Sequence, residues 1–324
     1  MNYRLSRLYR LKSKDMLFEW LGVDNPSFFN DNCFFTNYTP YIDDKNGKQR
    51  LIEVSSQSLK KIQNRILCML RVLDFPDYLF SGIKGKSYID NARQHKSRNY
   101  VFKIDISKFF PNTSREKVYN FFLNKLQTSK DVAEILTNCT TVDLRKYSNS
   151  KNYAEILEFL NDSKIRQISH LSTGAPTSML LSFLVNQNMF DAINTICTNE
   201  RWTLSVYADD ITISSQTAID YKSRQRIIRI IKNHGFNISK KKQKYIGKFK
   251  YKIITGVVIS KKGTMNAPNK LIKKAHDKIL KYKRNTITNE EIQSLKGCVN
   301  AANQINGSFN HIKDVLYERN DKSK

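Results

Sequence analysis

Two adjacent aspartates, Asp209 and Asp210, stand between two runs of alternating apolar and polar residues, and this placement restricts the fold more than any other stretch. Trp202, Leu204 and Val206 recur at every second position before them, and Ile211 and Ile213 alternate with Thr212 and Ser214 after them. A period of two belongs to a half-buried strand. The stretch therefore reads as a β-hairpin with Tyr207-Ala208-Asp209-Asp210 at its tip. Two carboxylates at a tight turn repel each other, which makes a divalent cation a natural partner. A solvated acidic turn would look the same, so a metal site requires a third acid from elsewhere.

Asp105 is the candidate. Residues 100–106 read as a strand with Phe102, Ile104 and Ile106 on one face and Val101, Lys103 and Asp105 on the other. By itself Asp105 reads equally well as a strand-end acid capping a turn. If its strand neighbours the hairpin in one sheet, three acids meet at one edge. Two-metal phosphoryl transfer requires this: two Mg²⁺ ions about 4 Å apart activate a 3′-hydroxyl and stabilise the leaving pyrophosphate. Mg²⁺, with Mn²⁺ as an alternative, prefers oxygen ligands, in keeping with the lack of His and Cys clusters.

Charge points the same way. Lys and Arg number 55 against 29 Asp and Glu, a net +26 that no fold requires. A polyanionic partner is implied, nucleic acid first and an anionic membrane surface second. No apolar run reaches the ~18 residues of a spanning helix. The charged N-terminus does not read as a signal peptide. Cys33, Cys68, Cys139, Cys197 and Cys298 are scattered without a Cys-x-x-Cys pair, which suits a reduced cytoplasmic home.

The remaining pattern predicts an α+β chain. Residues 1–30 read as mostly helical. Residues 34–56 read as a hairpin turning at Asp43-Asp44-Lys45-Asn46-Gly47, followed by a helix over 58–73. Residues 81–99 form a glycine-punctuated basic loop and a short helix. Thr113-Ser-Arg-Glu116 has the form of a capping box. Residues 127–168 look like a variable insertion without site chemistry. A Gly/Pro loop, 171–178, feeds an apolar helix over 179–197. A basic helix over 221–233, a further small hairpin, and lysine-rich helices over 268–284 and 290–318 complete the chain.

Three stretches in order, Phe102-Lys-Ile-Asp-Ile-Ser-Lys-Phe-Phe-Pro-Asn112, Gly174-Ala-Pro-Thr-Ser178 and Tyr207-Ala-Asp-Asp210, resemble the palm motifs of reverse transcriptases. Asn91-Ala-Arg-Gln-His95 is similar to the Asn-Ala-x-x-His signature of the bacterial retron branch, and Ile254-Thr255-Gly256 resembles its Val-Thr-Gly element. The resemblance runs from about residue 48 to 260. It implies a right-hand polymerase: an N-terminal helical extension (1–33), fingers (34–100), a palm with fingers segments (101–260) and a small helical thumb (261–324).

The resemblance also implies roles. Asp105 and Asp209 would bind both metals, with Asp210 in support and the Ile106 carbonyl as a further ligand. Phe110 would be the steric gate that selects deoxynucleotides. Arg50 would clamp the triphosphate, aided by Lys48, because its fork suits phosphate oxygens. Gly174 would lie under the nucleotide, preceded by Thr173 where the family often has Gln. Lys242, or Lys241 in a competing alignment, would be the lysine that protonates pyrophosphate. Tyr207 would pack near the primer terminus. Asn91, His95, Thr255 and Gly256 would hold structured RNA, as would Lys273 and Lys274 in the thumb. The activity implied is RNA-directed DNA synthesis from a cognate structured noncoding RNA, giving a branched, RNA-linked single-stranded DNA. Partners would be that RNA, its DNA product, dNTPs and a separate effector protein in antiphage defence. A non-retron defence reverse transcriptase, or an RNA-binding protein without catalysis, are the alternatives.

Overall fold

The computed structural model describes residues 1–29, 34–44 and 47–312. Cys33, the turn residues Lys45 and Asn46, and the chain beyond 312 lie outside the described residues.

Helix α1 (Lys14–Leu21) starts where the Ser13 hydroxyl accepts from the Met16 amide. It stops at Gly22, which takes a left-handed φ of 58°. Among the described residues 1–29 only single 3₁₀ turns flank it, at Tyr3–Leu5 and Pro26–Phe29, so this stretch is less helical than its pattern predicts. Strands β1 (Tyr38–Asp44) and β2 (Gln49–Ser55) form the expected antiparallel hairpin. Helix α2 (Gln57–Leu70) follows, burying Leu59, Ile62, Ile66, Leu67 and Leu70. The short helix α3 (Tyr88–Arg93) opens with a capping box between Ser87 and Asp90. Strand β3 (Tyr100–Ser107) comes next.

Helix α4 (Arg115–Asn120) is capped by Ser114, not Thr113. The Thr113 hydroxyl instead donates to the Phe109 carbonyl at 2.9 Å, so the predicted capping box does not form. The segment expected as an insertion holds α5 (Lys130–Thr140), β4 (Thr141–Asp143) and α6 (Tyr153–Asp162), and β4 pairs with β5 (Ser169–Leu171). The apolar helix predicted over 179–197 is broken into α7 (Ser178–Val185) and α8 (Gln187–Asn199). At the break, the Asn186 amide nitrogen donates back to the Ser182 carbonyl at 2.9 Å, and its oxygen accepts from Lys117 at 3.2 Å. Such side-chain bonds compete with the helical ladder.

Strands β6 (Thr203–Tyr207) and β7 (Asp210–Ser215) are the predicted hairpin. Helix α9 (Tyr221–Asn233), β8 (Asn237–Ile238) and β9 (Lys244–Ile246) follow. The central sheet has the order β6-β7-β3-β8, with β9 also on β3. Its two faces differ. Phe102, Ile104, Ile106, Leu204, Val206, Ile211 and Ile213 point into the main core with Phe109, Phe190, Ile227 and Phe236. Each large apolar side chain so buried contributes about 1.5–3 kcal/mol. The other face carries Lys103, Asp105, Ser205, Tyr207, Asp210, Thr212 and Ser214, as strand alternation requires. It is covered by α3 and by the small sheet of β10 (Lys252–Ile254), β11 (Val257–Ile259) and β12 (Met265–Asn266), through Ile89, Ala92, Val101, Ile254, Val257 and Ile259. Helices α10 (Asn269–Lys283) and α11 (Asn289–Asn306) pack on each other around their own core, which includes Ala275, Ile279, Leu295 and Val299. Among the described residues no helix is long and apolar enough to cross a membrane.

Candidate active site

The register of β3 against β7 decides where the acids go. Asp105 stands opposite Asp210, and Tyr207 opposite Asp210 closes the hairpin. The two-residue loop is Ala208-Asp209, with Ala208 at a φ of 54°. A hairpin turn of this kind needs a left-handed first residue, and alanine has the smallest side chain that must bear it. The surroundings hold it there. The Ala208 amide donates to the Ser81 hydroxyl at 2.9 Å, and the Ile106 amide donates to the Asp209 carbonyl at 2.8 Å. Residues 78–81 run beside β6, exchanging backbone bonds between Tyr78, Phe80 and Val206. Three acids from two segments thus meet at one sheet edge.

Their charges are crowded. Burial, then the neighbouring Asp105, pushes the Asp209 carboxyl up to about 6. Burial also raises Asp210, opposed by Lys103, whose ammonium lies 3.2 Å from it. Lys242 reaches Asp105 at 2.7 Å. Of the two competing lysines, 242 is therefore the one on the acids; Lys241 lines the neighbouring cleft. Among the described residues no three His, Cys, Asp or Glu side chains form a closed metal cage. The donor set nevertheless fits a hard divalent ion: carboxylates only, with burial and crowding raising the proton affinity of Asp209 and Asp210. Mg²⁺ in particular is held by one or two carboxylates plus substrate phosphates rather than by an all-protein cage.

A cleft of about 590 Å³ opens beside these acids. Its walls gather Lys48 just before β2, Arg50 from β2, Asp105 and Ile106 from β3, Phe110, Thr173, Asp209 and Lys242. The sequence singled out all of them, although they span nearly 200 positions. Both Phe109 and Phe110 border the cleft; Phe109 is buried against Phe190 and Phe236, whereas Phe110 is half-buried. Two contributions were not foreseen. Lys108, whose pKa is pushed down by burial and by Arg50 and Lys242 beside it, lines the same cleft. So do Phe159 and Ile165, from the segment in which the sequence showed no site chemistry. Lys103 was also missed as a site residue, although its place two positions before Asp105 puts it on the same strand face.

Gly174 has a structural reason different from the expected one. A Cβ there would fall on the Glu53 carbonyl oxygen and within 3.0 Å of the carbonyl carbon. The loop is pinned to β2 by Glu53, which is wholly buried. Its carboxylate accepts from the Thr173 amide at 2.6 Å and lies 3.0 Å from His170, and its carbonyl accepts from the Ser172 hydroxyl at 3.3 Å.

The two expected RNA-binding signatures are turned inward. His95 is fully buried, its ring nitrogens 2.6 Å from the Ser214 hydroxyl and 2.7 Å from that of Ser205, so it bridges β6 and β7 beneath the acidic tip. Asn91 is also buried, and its amide donates to the Thr255 hydroxyl at 3.3 Å. That hydroxyl donates to the Tyr88 carbonyl at 2.7 Å. Thr255 (φ 44°) and Gly256 (φ 84°) form the tight turn between β10 and β11, where the inward hydrogen bonds offset a strained β-branched residue. The buried side chains of Asn91 and His95 are internal struts where RNA ligands were expected; Thr255 bonds inward but is half-buried, and Gly256 is exposed. Tyr207 is half-buried beside Tyr88. Lys273 and Lys274 are exposed on α10.

Burial, with Arg98 and Lys103 nearby, lowers the His95 pKa to about 3. A base depressed below its unfolded value of about 6.5 binds protons more readily when unfolded. Its contribution to stability is therefore complete above about pH 6.5 and is lost as pH falls toward 3, by up to about 1.4 kcal/mol per unit. His95→Gln retains a polar bridge without titrating. Chemical denaturation at pH 7, 6 and 5 should show wild type losing about 1 kcal/mol per unit more than the variant. Equal slopes would refute a neutral buried ring.

The family model "Reverse transcriptase (RNA-dependent DNA polymerase)" matches residues 42–257, more than half the chain. The chain belongs to this family. Among curated relatives, it is 24% identical to the retron Ec83 reverse transcriptase of Escherichia coli over 80% of each chain. It is 28% identical to the retron Se72 reverse transcriptase of Salmonella heidelberg, over 59% of this chain and 44% of that one. It is 27% identical to the retron Ec86 reverse transcriptase of Escherichia coli, over 69% and 63%. The resemblance to the retron branch is borne out by these relatives. Reverse transcriptases generally use divalent metal ions.

Proposed function

We propose that this chain is an RNA-directed DNA polymerase of retron type that copies part of a cognate structured noncoding RNA into branched, RNA-linked single-stranded DNA. The observation that carries the reading is the cleft in which Arg50, Phe110, Thr173 and Lys242 surround Asp105 and Asp209. Arg50 holds the triphosphate by its guanidinium fork, with Lys48 beside it. Phe110 stands where a ribose 2′-hydroxyl would project and so favours deoxynucleotides. Asp105, Asp209, Asp210 and the Ile106 carbonyl would hold two Mg²⁺ ions, or Mn²⁺ in their place. When bound, the ions activate the primer hydroxyl and offset charge on the leaving pyrophosphate. Lys242, already at the acids, donates a proton to that pyrophosphate.

A second cleft, of about 500 Å³, shares Asp105 and Lys242 with the first, adds Asp210, and continues over Tyr245, Lys250 and Tyr251. Phe249, Tyr251 and Ile253 are 68%, 60% and 56% exposed among lysines, which suits a strand leaving the acids: aromatic faces stack bases while ammonium groups follow phosphates. Tyr207 packs near the primer terminus. Exposed Lys273 and Lys274 on the thumb helix extend the contact with RNA. The division into extension (1–33), fingers (34–100), palm (101–260) and thumb (261–324) follows the same reading. The setting is the bacterial cytoplasm, in antiphage defence with a separate effector protein.

Sequencing nucleic acid co-purified with the chain should reveal one abundant structured RNA covalently joined to DNA. Heterogeneous cellular RNA without attached DNA would refute the retron assignment.

A further inference from the structure

We propose that Lys108 positions the triphosphate: its ammonium rests over the Phe159 ring and transfers to the phosphates of an incoming nucleotide held by Arg50. The proposal rests on the polymerase reading above and deepens it.

Three observations carry it. Lys108 has a φ of 50°, in the left-handed region that non-glycine residues avoid. Such an outlier persists where surrounding structure over-determines it, and it is commonest at functional sites. Here the turn after β3 imposes it, with the Asn112 amide donating to the Lys108 carbonyl at 2.9 Å. Second, the side chain is half-buried in the cleft wall, and its Nζ lies 4.5 Å from the centroid of the Phe159 ring in α6. Third, among the described residues no carboxylate forms an ion pair with it, although Lys103 and Lys242 each pair with a catalytic acid.

An ammonium withdrawn from water without an anion is costly to hold. Lys108 shares the cleft with three further cations, Lys48, Arg50 and Lys242. A ligand with several negative charges on adjacent groups relieves that crowding, and a nucleoside triphosphate is such a ligand. The aromatic face holds the ammonium by its quadrupole alone, which a phosphate oxygen outcompetes. The ring comes from the segment expected to be a variable insertion, so that segment helps to pre-set the substrate site.

The test is steady-state dNTP incorporation by the full chain on a primed RNA template. Lys108→Asn removes the charge while suiting the left-handed backbone, because Asn tolerates that region. It should raise KM about tenfold, by the same factor for all four dNTPs, with kcat within about twofold. Lys108→Arg should return KM to within about threefold of wild type. A phosphate contact does not read the base, so a uniform factor is its signature. An unchanged KM in Lys108→Asn, a change confined to one base, or a loss carried by kcat alone overturns the assignment while leaving the polymerase reading intact. A wild-type chain that incorporates no nucleotide overturns the polymerase reading and this proposal with it.

Discussion

Asp209→Asn should reduce nucleotide incorporation by on the order of 10³-fold or more, about 4 kcal/mol on the barrier, while leaving RNA affinity within about twofold. The carboxylate sits at the tip of the β6–β7 hairpin, in the cleft that holds Arg50 and Phe110. Asparagine preserves its shape but removes the charge that would make it a metal ligand. RNA affinity should survive, because it comes from cations spread over the whole chain, with a net charge of +26. The effect on stability should have the opposite sign. The carboxyl is raised to about 6, above the ordinary 3.8. A raised acid destabilises the folded state as pH climbs from about 4 to about 6, and the cost is then constant at pH 7. Asparagine never bears that charge, so the variant should be more stable by about 1–2 kcal/mol at pH 7 without divalent metal. Incorporation assays, RNA filter binding and denaturant melts check the three parts. Retained synthesis would refute the assignment of Asp209 as a metal ligand.

Gly174→Ala should destabilise the fold by about 3 kcal/mol or more. Glycines are usually explained by backbone freedom, but Gly174 has an ordinary φ. The obstacle is proximity, because the added methyl would meet the backbone of Glu53. Neither side can yield cheaply. Glu53 and His170 are completely buried and bonded to each other, and the Thr173 amide closes the same cluster at 2.6 Å. Forcing β2 away from the loop would break those bonds in a site that water does not reach. Arg50 lies three residues upstream on β2, so surviving folded protein should show a dNTP KM raised about tenfold. A denaturant titration with dNTP kinetics tests this, and wild-type values for both would refute the close-contact account.

The two variants separate what the site does from what holds it. Asp209 is raised by its surroundings and would gain stability when neutralised. Gly174 carries no chemistry, yet its replacement should disturb both the core and Arg50. Between them lies His95, a buried strut whose serine partners stand on the two strands leading to the acids.

Much of this was legible in the sequence because it depends on short periods and local chemistry. Alternation around Asp209-Asp210 and before Asp105 is a period-two signal that tertiary contacts rarely override. The helices at 57–70 and 221–233 follow from their apolar spacing. The cleft residues were found through the motif resemblance, and the strand register brought them together. Small decisions were not legible: Ser114 in place of Thr113 as a cap, and the break at Asn186, depend on which hydrogen-bond partner is nearest after folding.

By itself, then, the sequence determined the acids, the strands that carry them, the excess of positive charge and the family motifs. Tertiary structure alone decided which way the polar side chains turn. Asn91 and His95 look like ligands in one dimension, but both are buried, Asn91 donating to Thr255 and His95 bonded to Ser205 and Ser214. Lys108 and Phe159 look unrelated, 51 positions apart, yet meet at 4.5 Å in the wall of the cleft beside the acids. The reason is physical: a polar residue's role depends on whether water, substrate or protein supplies its partner, and burial settles that only when the chain has closed.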